Sequence, residues 1–179
     1  MKRFLLPLGI FALLAVVLAI GIRRSPDKGV IVSPLLGKPA PQFSLPNLTD
    51  PARPVRSADL KGRWYLFNVW GTWCVECRAE HEMLLTVQRS GRVALIGLNW
   101  KDDEQQALAW LGQLGNPYET VAVDRSGREA INWGVYAAPE TFLVNPQGII
   151  VYKHIGALTS EAWMREILPR LPPPAATKS

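Results

Sequence analysis

Residues 70–77 read Trp-Gly-Thr-Trp-Cys-Val-Glu-Cys and hold the only two cysteines of the 179-residue chain, Cys74 and Cys77. Thiol–disulfide exchange is the chemistry that asks for this spacing. Trp64–Trp70 is an apolar, β-branched and aromatic run that predicts a strand buried on both faces. The segment after Cys74 has no Gly or Pro until Ser90-Gly91 and predicts a helix. Cys74 then stands at a helix N-terminus, where free backbone N–H groups and the helix dipole stabilise a thiolate. Cys77, one turn further on, can close a disulfide with it and resolve a mixed disulfide formed by Cys74. Two other uses compete. A zinc site would need Cys74 and Cys77 joined by His81 and His154, without a second cysteine pair. A purely structural bridge closes almost no loop and so stabilises little.

The elements around this pair follow from pattern. Short extended pieces are predicted at Gln42–Leu45 and Pro54–Arg56, a second buried strand at Arg92–Asn99, and a helix at Asp103–Leu114 with Asp102 as N-cap. Val121–Val123 predicts a short third strand. Strand, helix, strand, helix requires a parallel sheet. Glu140–Val144 and Ile149–His154, joined by Asn145-Pro146-Gln147-Gly148, predict an antiparallel hairpin that makes the sheet mixed. Ser160–Leu168 is a closing helix that Pro169 ends. His81 reads as a helix-surface residue and His154 as a strand residue.

Ahead of this domain, residues 4–22 form an uncharged apolar run with basic residues at both ends, long enough to cross a bilayer. A cleaved signal peptide usually has a shorter apolar region, so an uncleaved anchor is the expectation. The predicted organisation is an anchor at 1–24, a linker at 25–36, one domain at 37–171 and a disordered tail at 172–179. The net charge of +5 is concentrated at the front: residues 1–28 carry +4, which leaves +1 for the rest. The basic excess therefore belongs to the anchor, and no nucleic-acid partner is expected.

Residues 37–170 resemble the thioredoxin-like proteins of cytochrome c biogenesis, the CcmG/DsbE type. The resemblance rests on FNVWGTWCVECRAEHEML, on LNWKDDEQQALAWLGQLGNPY and on GVYAAPETFLVNPQGIIVYKHIG. It implies a thioredoxin-like α/β fold, a central mixed sheet with flanking helices, behind an N-terminal transmembrane helix. It also implies a cis Ala138–Pro139 bond facing the cysteine pair, with Trp73 beside Cys74 as a docking surface. Glu80 and Glu140 match acidic positions of the family and suggest a carboxylate pair near the thiols, which would raise thiol pKa and relay a proton for Cys77. Val75 and Glu76 stand where the family commonly has a proline in the motif, and Ala137 where it often has Gly.

The function so implied is a bacterial inner-membrane, single-pass thiol:disulfide reductase with its domain in the periplasm. Its substrate would be the Cys-x-x-Cys-His disulfide of apocytochrome c, or another cytochrome c maturation component, and its electrons would come from a membrane thiol reductase. Thiol exchange needs no cofactor and no metal. A broader disulfide reductase or a peroxide-linked relative of the same fold is the alternative.

Overall fold

The computed structural model describes residues 5–24 and 33–173 and divides into two compact units at Val32/Ser33. The first unit carries helix α1, Leu5–Arg24, whose side chains are described at 7–18. Among the described residues no helix is long and apolar enough to cross a membrane. Most of the expected linker and of the tail lies outside the described residues.

The second unit begins earlier than position 37. Ser33 is buried, a turn closes from the Leu36 amide to the Ser33 carbonyl, and Leu35 and Leu36 pack on the core. Those two leucines carry too much apolar surface for a solvated tether, so the linker's last residues belong to the domain. A two-stranded ribbon follows, β1 (Ser44–Leu45) against β2 (Val55–Arg56).

The main sheet holds β3 (Tyr65–Trp70), β4 (Ala94–Trp100), β5 (Thr120–Asp124), β6 (Glu140–Val144) and β7 (Ile150–Ile155) in the order β5-β4-β3-β6-β7. Pairs β3/β4 and β4/β5 are parallel, and β3/β6 and β6/β7 antiparallel. This is the expected mixed sheet of a thioredoxin-like fold. All six residues of the central β3 are buried, because helices or chain segments cover both faces.

On one face Leu66, Trp70 and Leu143 pack under α2 (Val75–Ser90), α3 (Glu104–Leu114) and the C-terminal helix through Leu84, Val87, Leu111, Trp163 and Ile167. On the other, Phe67, Val69 and Phe142 meet Ala40, Phe43 and Trp133, with Phe67 stacked on Trp133 at 4.0 Å between ring centroids. Each such fully buried large side chain contributes about 1.5–3 kcal/mol, so β3 is where the two clusters tie the domain together.

Differences from the sequence reading have local causes. The N-cap of α3 is Asp103, whose carboxylate accepts from the Gln106 amide; Asp102, one residue earlier, bonds elsewhere. A short helix, α4 (Arg128–Asn132), has too few residues to show a period. The C-terminal helix winds from Ser160 through a wide turn at Trp163–Ile167 into a tight turn at Leu168–Arg170. Pro169 therefore does not end it, because it sits in the first positions of the tight turn, where an amide donor is not needed.

Candidate active site

The cysteine pair stands where β3 hands over to α2. Cys74 is the N-cap of α2 in extended conformation, and its sulfur accepts from the Cys77 amide at 3.1 Å. The two are joined in a disulfide and nearly covered, with 5 % and 3 % of their surface exposed. Trp73 and Val75, on either side of Cys74 in sequence, stay exposed. A visiting thiol or disulfide therefore meets an apolar rim before it meets sulfur.

The loop into Cys74 is braced from β4. Both oxygens of Asp102 are used: one accepts from the Thr72 amide at 2.7 Å and the Asn99 amide side chain at 2.8 Å, the other from the Thr72 hydroxyl at 2.6 Å. The Trp73 indole N–H donates to the Trp100 carbonyl at 3.1 Å and its ring meets Trp100 edge-on. That fold-back requires the glycine at 71, since a Cβ there would lie 2.5 Å from the indole nitrogen. Trp73 is thus exposed but pinned. Asp102 escaped the sequence reading as a brace because its role depends on Thr72, 30 residues away.

Behind the disulfide, α2 buries Cys77, Glu80, His81, Leu84 and Val87 on one face. Glu80 is 1 % exposed. Its Oε1 accepts from the Asn68 side-chain amide at 2.9 Å, and its Oε2 accepts from the Leu158 amide at 2.7 Å. Burial pushes its pKa up to about 7; the Leu158 and Asn68 donors oppose that shift, and the charge of Glu76 adds slightly to it. A carboxyl poised near neutrality three residues past Cys77 can take up or return one proton.

His81 is buried, not on the surface. Its Nε2 faces the Gly115 carbonyl at 2.9 Å and its Nδ1 faces the Trp110 indole N–H at 3.3 Å, so it carries its proton on Nε2 and joins α2 to α3. The zinc alternative needs His81 and His154 to turn towards the cysteines. His154 instead bonds the Ala157 carbonyl at 3.2 Å, and among the described residues no three His, Cys, Asp or Glu gather to hold a metal.

The Ala138–Pro139 bond is cis. Glu140 follows at the start of β6, but the structure does not pair it with Glu80. Opposite Val69 in the register, Glu140 shares its sheet face with Phe142, whereas Thr141, opposite Asn68, points with Asn68 to the Glu80 side. Strand alternation thus separates the two carboxylates by the thickness of the sheet.

Glu140 has its own partner, the ammonium of Lys153, 2.8 Å from Oε2. Lys153 also donates to the Gly134 carbonyl at 2.9 Å and lies 4.6 Å over the Tyr136 ring. Burial still holds the Glu140 carboxyl above its usual range, with Lys153 countering it. Lys153 was hidden in the sequence because a bulge between Leu143 and Val144 slips the β6/β7 register, so Ile150 and Lys153, three apart, face inward together.

The Redoxin family model matches residues 35–168. The thiol:disulfide interchange protein DsbE of Allochromatium vinosum is 46 % identical over 168 residues, 94 % of this chain and 92 % of that protein. The Pseudomonas aeruginosa DsbE is 46 % identical over 94 % of this chain and 93 % of its own, and the Escherichia coli DsbE is 42 % identical over 94 % and 92 %. Among solved structures, a secreted thiol-disulfide isomerase from Corynebacterium glutamicum superposes with a TM-score of 0.65 at 21 % identity, over 73 % of this chain and 83 % of that one, a likeness of fold.

Proposed function

This chain belongs to the Redoxin family, among thiol:disulfide interchange proteins of the DsbE type, and we propose that it works as the reductant of that exchange on a periplasmic protein disulfide. Cys74, at the start of α2, attacks one sulfur of the substrate disulfide and releases the other as a thiolate. Glu80 then accepts the proton of Cys77, and the Cys77 thiolate attacks Cys74. A Cys74–Cys77 disulfide forms, the second substrate sulfur leaves as a thiolate, and the proton returns to it. Two electrons and, through Glu80, one proton have passed to the substrate; its other thiolate takes a proton from solvent, and a membrane thiol reductase restores the pair.

The observation that carries the reductive direction is the burial of Glu80 behind Cys77. A carboxyl there disfavours a resident thiolate, and a pair whose thiolates are poorly stabilised gives up its electrons readily. Glu140, tied to Lys153 on the other face, holds the strand start beside Pro139 and takes no proton. Trp73 and Ala138 form the docking surface for the substrate chain, with the buried cis Pro139 shaping the backbone beneath it.

The resemblance to cytochrome c biogenesis proteins supports apocytochrome c as substrate, presenting its Cys-x-x-Cys-His pair as a disulfide. The apolar run at 4–22 supports a single-pass anchor that keeps the domain on the outer side of the bacterial inner membrane. A test uses the full chain in membranes with a peptide carrying an oxidised Cys-x-x-Cys-His. Cys77→Ser should accumulate a peptide adduct on Cys74, and the wild type should reduce this peptide at least about tenfold faster than a scrambled disulfide, about 1.4 kcal/mol of discrimination. Equal rates on both would leave a general disulfide reductase.

A further inference from the structure

The partners of Glu80 differ in which way their hydrogen bonds can run. Leu158 offers an N–H that can only donate, and it does so to Oε2. Oε1 faces Asn68 Nδ2, which also lies 3.0 Å from the Thr141 hydroxyl, while the Tyr118 hydroxyl sits 2.7 Å from Asn68 Oδ1. Hydroxyls can donate or accept, and a side-chain amide has one acceptor end and one donor end. When Glu80 is ionised, Asn68 must turn its donor end to it, as seen. When Glu80 is protonated, Leu158 keeps Oε2 as an acceptor, so the proton rides on Oε1 and meets the Asn68 donor head-on. That proton finds an acceptor on Asn68 only if the amide turns over, so that Oδ1 accepts from the Glu80 and Thr141 hydroxyls.

Tyr118 sets the cost of that turn. With Asn68 reversed, Nδ2 faces the phenol oxygen and the phenol hydrogen loses its partner in a fully buried place, which opposes the reversed state. The ring is held in position, stacked on Trp70 at 5.6 Å above Gly97, where a Cβ would lie 3.2 Å from it. Its backbone N–H is tied to Asn116 Oδ1. We propose that Tyr118 and Asn68 are positioning residues for thiol resolution: the phenol holds the amide with its donor end towards Glu80, and this sets how readily Glu80 keeps the proton it takes from Cys77.

The inference rests on Glu80 being that proton acceptor. The titratable groups that bear on Glu80 are Glu76 on its own helix, Tyr118 beyond Asn68, and the two cysteines. β3 and β6 present only the neutral Asn68 and Thr141. In the oxidised domain the cysteines do not titrate, so the carboxyl can be followed alone.

The test compares wild type with Tyr118→Phe, which keeps the ring and removes only the hydroxyl. In the oxidised full chain, the carboxyl carbon of Glu80 is titrated by carbon-13 NMR, with Glu80→Gln assigning the signal. In a preformed Cys74–peptide mixed disulfide, the rate of resolution by Cys77 is followed against pH. Tyr118→Phe should raise the Glu80 midpoint by about 0.5–1 pH unit, the worth of one buried hydrogen bond, and the inflection of the resolution rate should rise with it. Asn68→Leu, which removes the donor itself, should raise both further. An unmoved or lowered midpoint in Tyr118→Phe overturns the positioning role. A raised midpoint with an unmoved rate profile overturns their part in thiol resolution, together with Glu80 as the proton acceptor, and leaves only the orientation of the amide.

Discussion

The two faces of the central sheet each bury a glutamate, and they treat it in opposite ways. Glu140 lies against Lys153 at 2.8 Å, a full ionic partner. Glu80 receives only neutral donors, Asn68 and the Leu158 amide, and among the described residues no cation reaches it. A buried carboxylate without a counter-charge is costly as an ion and inexpensive as an acid, so it can change state near pH 7. One with an ammonium beside it has part of that burial cost offset and serves as a fixed joint. The face under α2, which also carries the cysteines, is thus the one equipped to move a proton.

The largest test of this contrast removes the cation. Lys153→Met should destabilise the domain by about 3–5 kcal/mol, since it strands a buried charge, and adding Glu140→Gln should restore most of that. Denaturant unfolding measures both, and a Lys153→Met domain as stable as wild type would erase the distinction between the faces.

Glu80 makes the next prediction through pH. Its folded pKa of about 7 lies above the ordinary 4.5, so the folded state binds more protons than the unfolded state between those values. Stability should therefore fall as pH rises from 4.5 to 7 and level off above, by on the order of 3 kcal/mol for this group. Glu80→Gln should flatten that part of the curve; an equal slope in the variant would assign it to other groups. A smaller effect is expected from the third carboxylate, Asp102, which bears on loop geometry. Asp102→Ala should cost about 1–2 kcal/mol and speed alkylation of Cys74 in the reduced domain by loosening the Thr72 turn, whereas an unchanged alkylation rate would leave Asp102 as a brace for stability alone.

Much of this architecture was readable from local pattern. The β3 run, the glycine stop of α2 at Gly91, the hairpin and the placement of Cys74 at a helix start all follow from residues close in sequence. What escaped depends on distant partners or on broken periodicity. Asn68 reads as one polar residue inside an apolar strand, and its meaning appears only when Glu80, Thr141 and Tyr118 converge on it. The sheet separates Glu80 from Glu140 although both sit beside motifs of the same site, because a one-residue step along β6 exchanges faces. Lys153 was masked by the bulge, and His81 by a helix face that turned out to be covered by Trp110 and the Gly115 turn.

Glu80 as the proton acceptor of the resolving cysteine is tested most directly by the pH dependence of one step. A mixed disulfide between Cys74 and a peptide is formed, and its resolution by Cys77 is timed from pH 5 to 9 in wild type and Glu80→Gln. The wild-type rate should rise through an inflection near pH 7, and Glu80→Gln should lose that inflection and run about 10²-fold slower on the plateau. Superimposable profiles for the two proteins would contradict the account.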